Sequence, residues 1–158
     1  MDEQAKKTAL RMIPYGLYVL GTRDGEELGA ATINWVTQVS FTPPLLVLGV
    51  KTDSGAFHHL QRNSAFALSI LGTGQKEVAF AFFKPTEREG DALNGYRFET
   101  KETGAPILLD APAWVEARVT DTVERGDHGV VVAEVIAAGV RRETPVLTLT
   151  ECEVFYGG

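Results

Sequence analysis

The stretch AWVEARVTDTV (residues 113–123) is followed by ERGD (124–127) and then by HGVVVAEVIAAGV (128–140). Both long runs are rich in Val, Ala and Ile, and β-branched residues favour strands. The four residues between them are polar and include a glycine, as is typical of a turn. The stretch therefore predicts two long antiparallel strands joined by a tight turn, and it favours a β fold.

Working outward, further strands are predicted at residues 15–22, 28–40, 45–51, 66–71 and 146–156. Asp24-Gly25 is a strong hairpin dipeptide, so the first two of these strands should pair. Pro43-Pro44 ends the second strand, because neither residue can donate to a ladder. Apolar and polar residues alternate imperfectly in 146–156, so Cys152 is expected to be a packed strand cysteine.

Short helices are expected at residues 2–12 before Pro14, at 55–62 between an N-cap at Asp53 or Ser54 and Asn63, and at 76–83. The polar, glycine-bearing residues 84–103 predict a surface excursion. The count is six or seven strands and two or three helices, without a regular strand-helix rhythm. This pattern favours an all-β, antiparallel barrel over a doubly wound sheet.

Composition narrows the class of protein. The 158 residues suit one domain, spanning 1–158, and 44% hydrophobic with 23% charged residues is ordinary for a globular chain. A net charge of -6 without a basic stripe excludes nucleic acid as a partner. Apolar runs fall short of the ~20 residues that span a bilayer, so no membrane association is expected. A single cysteine fits the reducing cytoplasm.

No dinucleotide fingerprint, P-loop, zinc spacing or nucleophile elbow occurs. His58 and His59 are neighbours on a helix and point about 100 degrees apart, so no metal site is predicted. Residues 30–40 mix small polar side chains into an apolar run. That pattern fits a strand with one wet face, and it also fits a strand that hydrogen-bonds a flat polar ligand.

Three pieces occur in order: Ala31-x-x-Asn34 through Val39-Ser40-x-x-Pro43-Pro44, an apolar strand into Lys51 and Ser54, and Gly126-Asp127-His128. Together they resemble the flavin reductase-like family of FMN-binding split barrels. Residues 15–19 (YGLYV) are further similar to its flavoredoxin and high-molecular-weight rubredoxin branch, whose members pass electrons to rubredoxin-like or flavodiiron partners.

The resemblance implies a Greek-key split β-barrel of about six strands that binds FMN, with FAD as the alternative, and reduces flavin with NADH or NADPH. It also implies a homodimer whose partner subunit completes the flavin site, and it allows an electron-acceptor protein. Two alternatives stay open. One is an electron-transfer flavoprotein that does not oxidise nicotinamide itself, and the other is a non-catalytic flavin-binding module.

The resemblance also assigns residues to the flavin. Those implied to line the ring are Thr32, Asn34, Trp35, Thr37 and Gln38, and those at the point where the chain returns to the flavin are Phe83 and Lys84. Trp35 and Phe83 can equally be plain core residues.

Lys51 and Ser54, at a helix start, are implied to hold the phosphate, which carries about -1.5 to -2 charges. The family often has Ser-x-Thr here, whereas this chain has Ser54-Gly55-Ala56, and Asp53 adds an unfavourable charge. His128 is implied to position the nicotinamide cofactor. The alternative for His128 is a hairpin histidine bonded to its own turn.

Overall fold

The computed structural model describes residues 1–158 and is mostly β. Its strands are β1 (Tyr18–Asp24), β2 (Glu27–Ile33), β3 (Val36–Ser40), β4 (Leu45–Lys51), β5 (Ala65–Ile70), β6 (Arg88–Glu89), β7 (Ala92–Leu93), β8 (Tyr96–Thr100), β9 (Pro106–Leu108), β10 (Ala113–Glu124) and β11 (His128–Val140). Its helices are α1 (Glu3–Arg11), α2 (Gly55–Arg62), α3 (Lys76–Ala81) and α4 (Leu149–Cys152). None of these helices is long and apolar enough to cross a membrane.

The main sheet has seven antiparallel strands in the order β2-β1-β5-β10-β11-β4-β3. The other four strands form a small sheet, β6-β7-β8-β9. Both predicted hairpins are confirmed: Asp24 pairs with Glu27 across a turn in which Gly25 has φ 61°, and Glu124 pairs with Gly129. The antiparallel, mostly β character is therefore confirmed, whereas the expected number of about six strands is too low.

The largest correction concerns residues 28–40, which were expected to form one strand. They form β2 and β3, which lie at opposite edges of the sheet and are joined by Asn34 and Trp35 alone. The Gly49 amide donates to the Trp35 carbonyl at 2.9 Å, and a Cβ on Gly49 would come within 2.9 Å of the Trp35 side chain. The chain therefore leaves one edge and joins β4 at the other, so the sheet curls until its edges approach. The edges are not hydrogen-bonded to each other, and the sheet is not closed.

The predicted strand at 146–156 is wrong. Val146 and Thr148 make only isolated bridges, and α4 follows. The Thr148 side chain accepts a hydrogen bond from the Glu151 amide at 3.1 Å, which caps the helix. Cys152 is buried as expected, but in a helix and not in a strand.

The three predicted helices are confirmed, although α3 ends at Ala81 and not at Phe83. Asn63 caps the C-terminus of α2 as expected, in an extended conformation. The predicted surface excursion at 84–103 contains β6, β7 and β8, which form short hairpins.

Helix α2 is fixed to the main sheet by its apolar face. Phe57 and Leu60 are buried in a core cluster with Leu20, Leu48 and Phe66. Burying one such side chain stabilises the fold by roughly 1.5–3 kcal/mol. The start of α2 is thereby held at the end of β4.

Candidate functional site

A cavity of about 390 Å³ lies at the point where β2, β4, β11 and α2 meet. Its volume falls in the range of ligand pockets, about 300–1,000 Å³. Most of its lining is apolar. Six predicted site residues line it: Thr32, Asn34, Lys51, Ser54, Phe83 and His128.

The other four predicted residues lie outside this cavity. Trp35 and Thr37 line a neighbouring groove, although the Trp35 ring lies 4.6 Å from the His128 ring and backs the cavity wall. Gln38 is exposed on β3, and its amide donates to the Ser40 carbonyl. Lys84 faces a second groove beside α2. The structure of the single chain thus does not bring Thr37, Gln38 or Lys84 to the cavity.

Asn34 carries an unsatisfied donor at the cavity. Its side chain is only 5% exposed, and its Nδ2 atom has no hydrogen-bond partner. Buried polar groups are nearly always paired, so an unpaired one requires an explanation. A ligand that accepts a hydrogen bond inside the cavity would supply the missing partner. The Thr32 hydroxyl, by contrast, already donates to the Ala79 carbonyl at 2.6 Å.

One end of the cavity is suited to an anion. The Ser54 side chain accepts from the Phe57 amide at 3.1 Å and caps α2, while the Gly55 and Ala56 amides have no acceptor in the chain. Free amides at a helix start and the helix dipole both favour negative charge. Lys51 adds a cation, which lies 3.6 Å from the Asp53 carboxylate. The negative charge of Asp53 weakens the attraction of this end for an anion. The Lys51 ammonium and the free amides nevertheless remain as donors.

His128 is held on both ring nitrogens. Nδ1 lies 2.8 Å from the Asp127 carboxylate, and Nε2 lies 2.7 Å from the Tyr156 hydroxyl. The hydrogen bond to His128 is the main reason that the pKa of Asp127 is lowered, and the charges of His128 and Lys51 add to it. A carboxylate can only accept, so Nδ1 carries a proton, and in the neutral ring Nε2 accepts from Tyr156. Burial is the main cause of the raised pKa of Tyr156, so its hydroxyl stays protonated.

Sequence reasoning missed Tyr156 and Phe155, which line the cavity together with Val154. These residues were assigned to the end of a strand that does not form. Their only sequence signal is that Phe155 and Tyr156 are adjacent aromatic residues, which follow the mixed polar and apolar stretch TECEV (150–154). The α4 helix turns this pair back toward β11, where Tyr156 reaches His128.

The fold and the cavity define a class of protein: an antiparallel β protein with one mostly apolar cavity, which has an unpaired buried donor in its wall and an end that is suited to an anion. Residues 10–153 match the family described as flavin reductase like domain. The NADH-dependent flavin reductase StyB of Pseudomonas fluorescens is 37% identical over 142 residues, which is 88% of this chain and 79% of that protein. The chain therefore belongs to the flavin reductase-like family.

Two further proteins are similar to this chain, one by sequence and one by structure. Diflavin flavoprotein A 1 of Synechocystis sp. is 33% identical over 136 residues, which cover 85% of this chain but only 24% of the flavoprotein. The structure of Streptomyces globisporus NADH:FAD oxidoreductase SgcE6 in complex with NAD and FAD fragments superposes with a TM-score of 0.76 at 30% identity. That superposition covers 89% of this chain and 84% of the oxidoreductase.

Proposed function

We propose that this chain binds FMN in the cavity and acts as an NAD(P)H:flavin oxidoreductase. The single observation that carries the proposal is the buried, unpaired Asn34 amide at the cavity wall. A flavin ring edge is rich in hydrogen-bond acceptors and fits such a donor. Family membership and the similarity to an NADH-dependent flavin reductase support the same activity.

In this proposal Asn34 holds the ring, and Lys51 with the start of α2 holds the phosphate. A bound flavin supplies the hydride acceptor, because redox chemistry belongs to the cofactor. The chain positions both cofactors and excludes water, which explains the lack of an acid-base pair. His128 positions the nicotinamide ring, and Trp35 supports His128 from behind.

The quaternary structure is part of the proposal. Strand β3 is a sheet edge, and both Val39 within it and Phe41 directly after it are exposed, Phe41 by 88%. Exposed apolar edges pair with other chains. We therefore propose a homodimer formed through this edge, in which Thr37, Gln38 and Lys84 reach the partner's flavin. A solution mass near 17.2 kDa by light scattering would refute the dimer.

Other parts of the proposal rest on the resemblance. They are a split-barrel arrangement of the open sheet, one domain over residues 1–158, and FMN as cofactor with FAD as the alternative. The proposed electron donor is NADH or NADPH. The reducing cytoplasm is the proposed location, supported by the unpaired Cys152.

Titration with FMN and with riboflavin tests the phosphate site, because the two ligands differ only in the phosphate. Lys51→Met should weaken FMN binding about two- to fivefold, since Lys51 is 56% exposed and partly screened. It should leave riboflavin binding unchanged. Lys101→Met, which lies outside the cavity, is the matched control. Equal losses of affinity for FMN and for riboflavin would contradict the assignment of Lys51 to the phosphate.

A second candidate is an electron-transfer flavoprotein that serves a partner protein. The similarity to a diflavin flavoprotein, of which the matched region is 24%, favours it. Steady-state oxidation of NADH and NADPH by the chain with FMN separates the two candidates. Turnover with either nicotinamide supports the reductase. Bound flavin without turnover supports electron transfer or a binding module.

A further inference from the structure

We propose that Tyr156 competes with the nicotinamide cofactor for Nε2 of His128, and so sets the affinity of the site for its second ligand. This inference rests on the proposed function. It concerns the segment of residues 154–158, which follows the region that matches the family, 10–153.

The hydrogen bonds of His128 leave no free nitrogen toward the cavity. Asp127 occupies Nδ1 at 2.8 Å and Tyr156 occupies Nε2 at 2.7 Å. Any ligand group that bonds to this ring must displace one of the two. The bond to Asp127 involves a carboxylate and is the stronger type, and Asp127 lies outside the cavity, whereas Tyr156 is an uncharged partner that lines the cavity. Displacement therefore falls on Tyr156.

The Tyr156 hydroxyl and the carboxamide of a nicotinamide are both hydrogen-bond donors. In the neutral ring Nε2 is an acceptor, so it binds an O–H or N–H donor. The carboxamide of a nicotinamide offers an N–H donor to the same lone pair. Tyr156 thus satisfies His128 in the absence of the ligand and must release it when the ligand binds.

The segment 154–158 is weakly attached. Residues 155–158 make no backbone–backbone hydrogen bond, and the Phe155 side chain is 73% exposed. Beyond Tyr156, Arg11 lies 4.8 Å from the centre of the Phe155 ring and donates to the Gly157 carbonyl at 3.3 Å, and Gly158 packs against Lys7 and Arg11 of α1. Displacing the segment therefore breaks few interactions.

The segment also covers the indole edge of Trp35. A Cβ added to Gly157 would lie 3.6 Å from the indole Cζ2 atom, and the buried Trp35 Nε1 has no hydrogen-bond partner. Moving the segment would expose this donor to water and relieve its lack of a partner. The cavity, at about 390 Å³, is near the lower limit for one ligand, and Val154, Phe155 and Tyr156 form part of its wall. A second planar ligand needs this wall to move.

The test is calorimetric titration of FMN-loaded protein with NAD⁺, which has no hydride to transfer. Tyr156→Phe keeps the ring that packs on Trp35 and removes only the hydroxyl. It should tighten NAD⁺ binding about two- to thirteenfold, the range for one net hydrogen bond. Tyr15→Phe is the matched control, because its hydroxyl makes no hydrogen bond in the structure and does not line the cavity.

Nitrogen-15 NMR of the imidazoles gives a readout without any cofactor. The chain has three histidines, so His128 is assigned with a His128→Gln variant. Tyr156→Phe should shift the Nε2 signal of His128 and leave those of His58 and His59 unchanged. An unmoved Nε2 signal, or NAD⁺ binding that is equal or weaker in Tyr156→Phe, would overturn this inference alone. Absence of NAD⁺ binding to every variant and to the parent would overturn the proposed function with it.

Discussion

Replacing Asn34 with Ala should affect the empty and the FMN-bound protein in different ways. In the ligand-free chain the Asn34 Nδ2 atom is buried without a partner, which costs about 1–3 kcal/mol. The space left by the truncated side chain joins the existing cavity, so little packing is lost. The free energy of unfolding without ligand should therefore stay constant or rise by up to about 2 kcal/mol.

In the FMN-bound protein the variant should lose the proposed hydrogen bond from the Asn34 amide to the flavin. A net loss of about 0.5–1.5 kcal/mol corresponds to roughly two- to thirteenfold weaker FMN binding. Urea unfolding with and without FMN measures both effects, because ligand stabilisation follows affinity.

Asn94→Ala is the matched control. The Asn94 side chain donates to the Ala81 carbonyl and accepts from the Glu87 amide, and its φ of 48° disfavours alanine. This variant should lose stability with and without FMN. If Asn34→Ala behaved in the same way, with FMN affinity unchanged, the reasoning about the unpaired amide would be refuted.

Three further variants test other parts of the account. Thr22→Val removes the buried hydroxyl that lies 2.9 Å from His59 Nδ1, and it should lower the free energy of unfolding in urea by about 1–3 kcal/mol. A loss below about 0.5 kcal/mol would show that this contact does not help to hold α2 on the sheet. The pKa of Glu151 is lowered mainly by its hydrogen bond from Thr73, so its stabilisation is present above the unfolded pKa near 4.5 and lost as the pH falls through the folded pKa. The stability gap between the parent and Glu151→Gln should therefore be full at pH 7 and narrow as the pH falls below the unfolded pKa, and a gap that is as wide in acid as at pH 7 would contradict this. His128→Ala should slow reduction of flavin by nicotinamide while leaving FMN affinity nearly intact, and unchanged turnover would remove His128 from the site.

Local chemistry explains which parts of the fold the sequence could predict. The strands at 113–123 and 128–140 are long, and turn residues separate them, so neighbouring residues decide the hairpin. The break at Asn34 and Trp35 has only a weak local signal, which is Asn34 itself, because strand-forming residues such as Ile33 and Val36 flank it on both sides. The approach of Gly49 to Trp35, which is distant in sequence, decides it.

The residues of the candidate site also divide into those that the local sequence marks and those whose position depends on distant contacts. Lys51, Ser54 and His128 lie at strand and helix ends that the sequence marks, and all three line the cavity. Tyr156 was missed because its position depends on α4, whose cap on Thr148 was overlooked in favour of strand alternation. Gln38 and Lys84 follow the family pattern but lie outside the cavity of a single chain.

The most direct test of the central claim is the visible absorption spectrum of the FMN-loaded protein, recorded anaerobically before and after NADH or NADPH is added. The flavin bands should bleach with at least one nicotinamide, faster than those of free FMN under the same conditions. Flavin bands that persist with both nicotinamides, or a protein that binds no FMN, would contradict it.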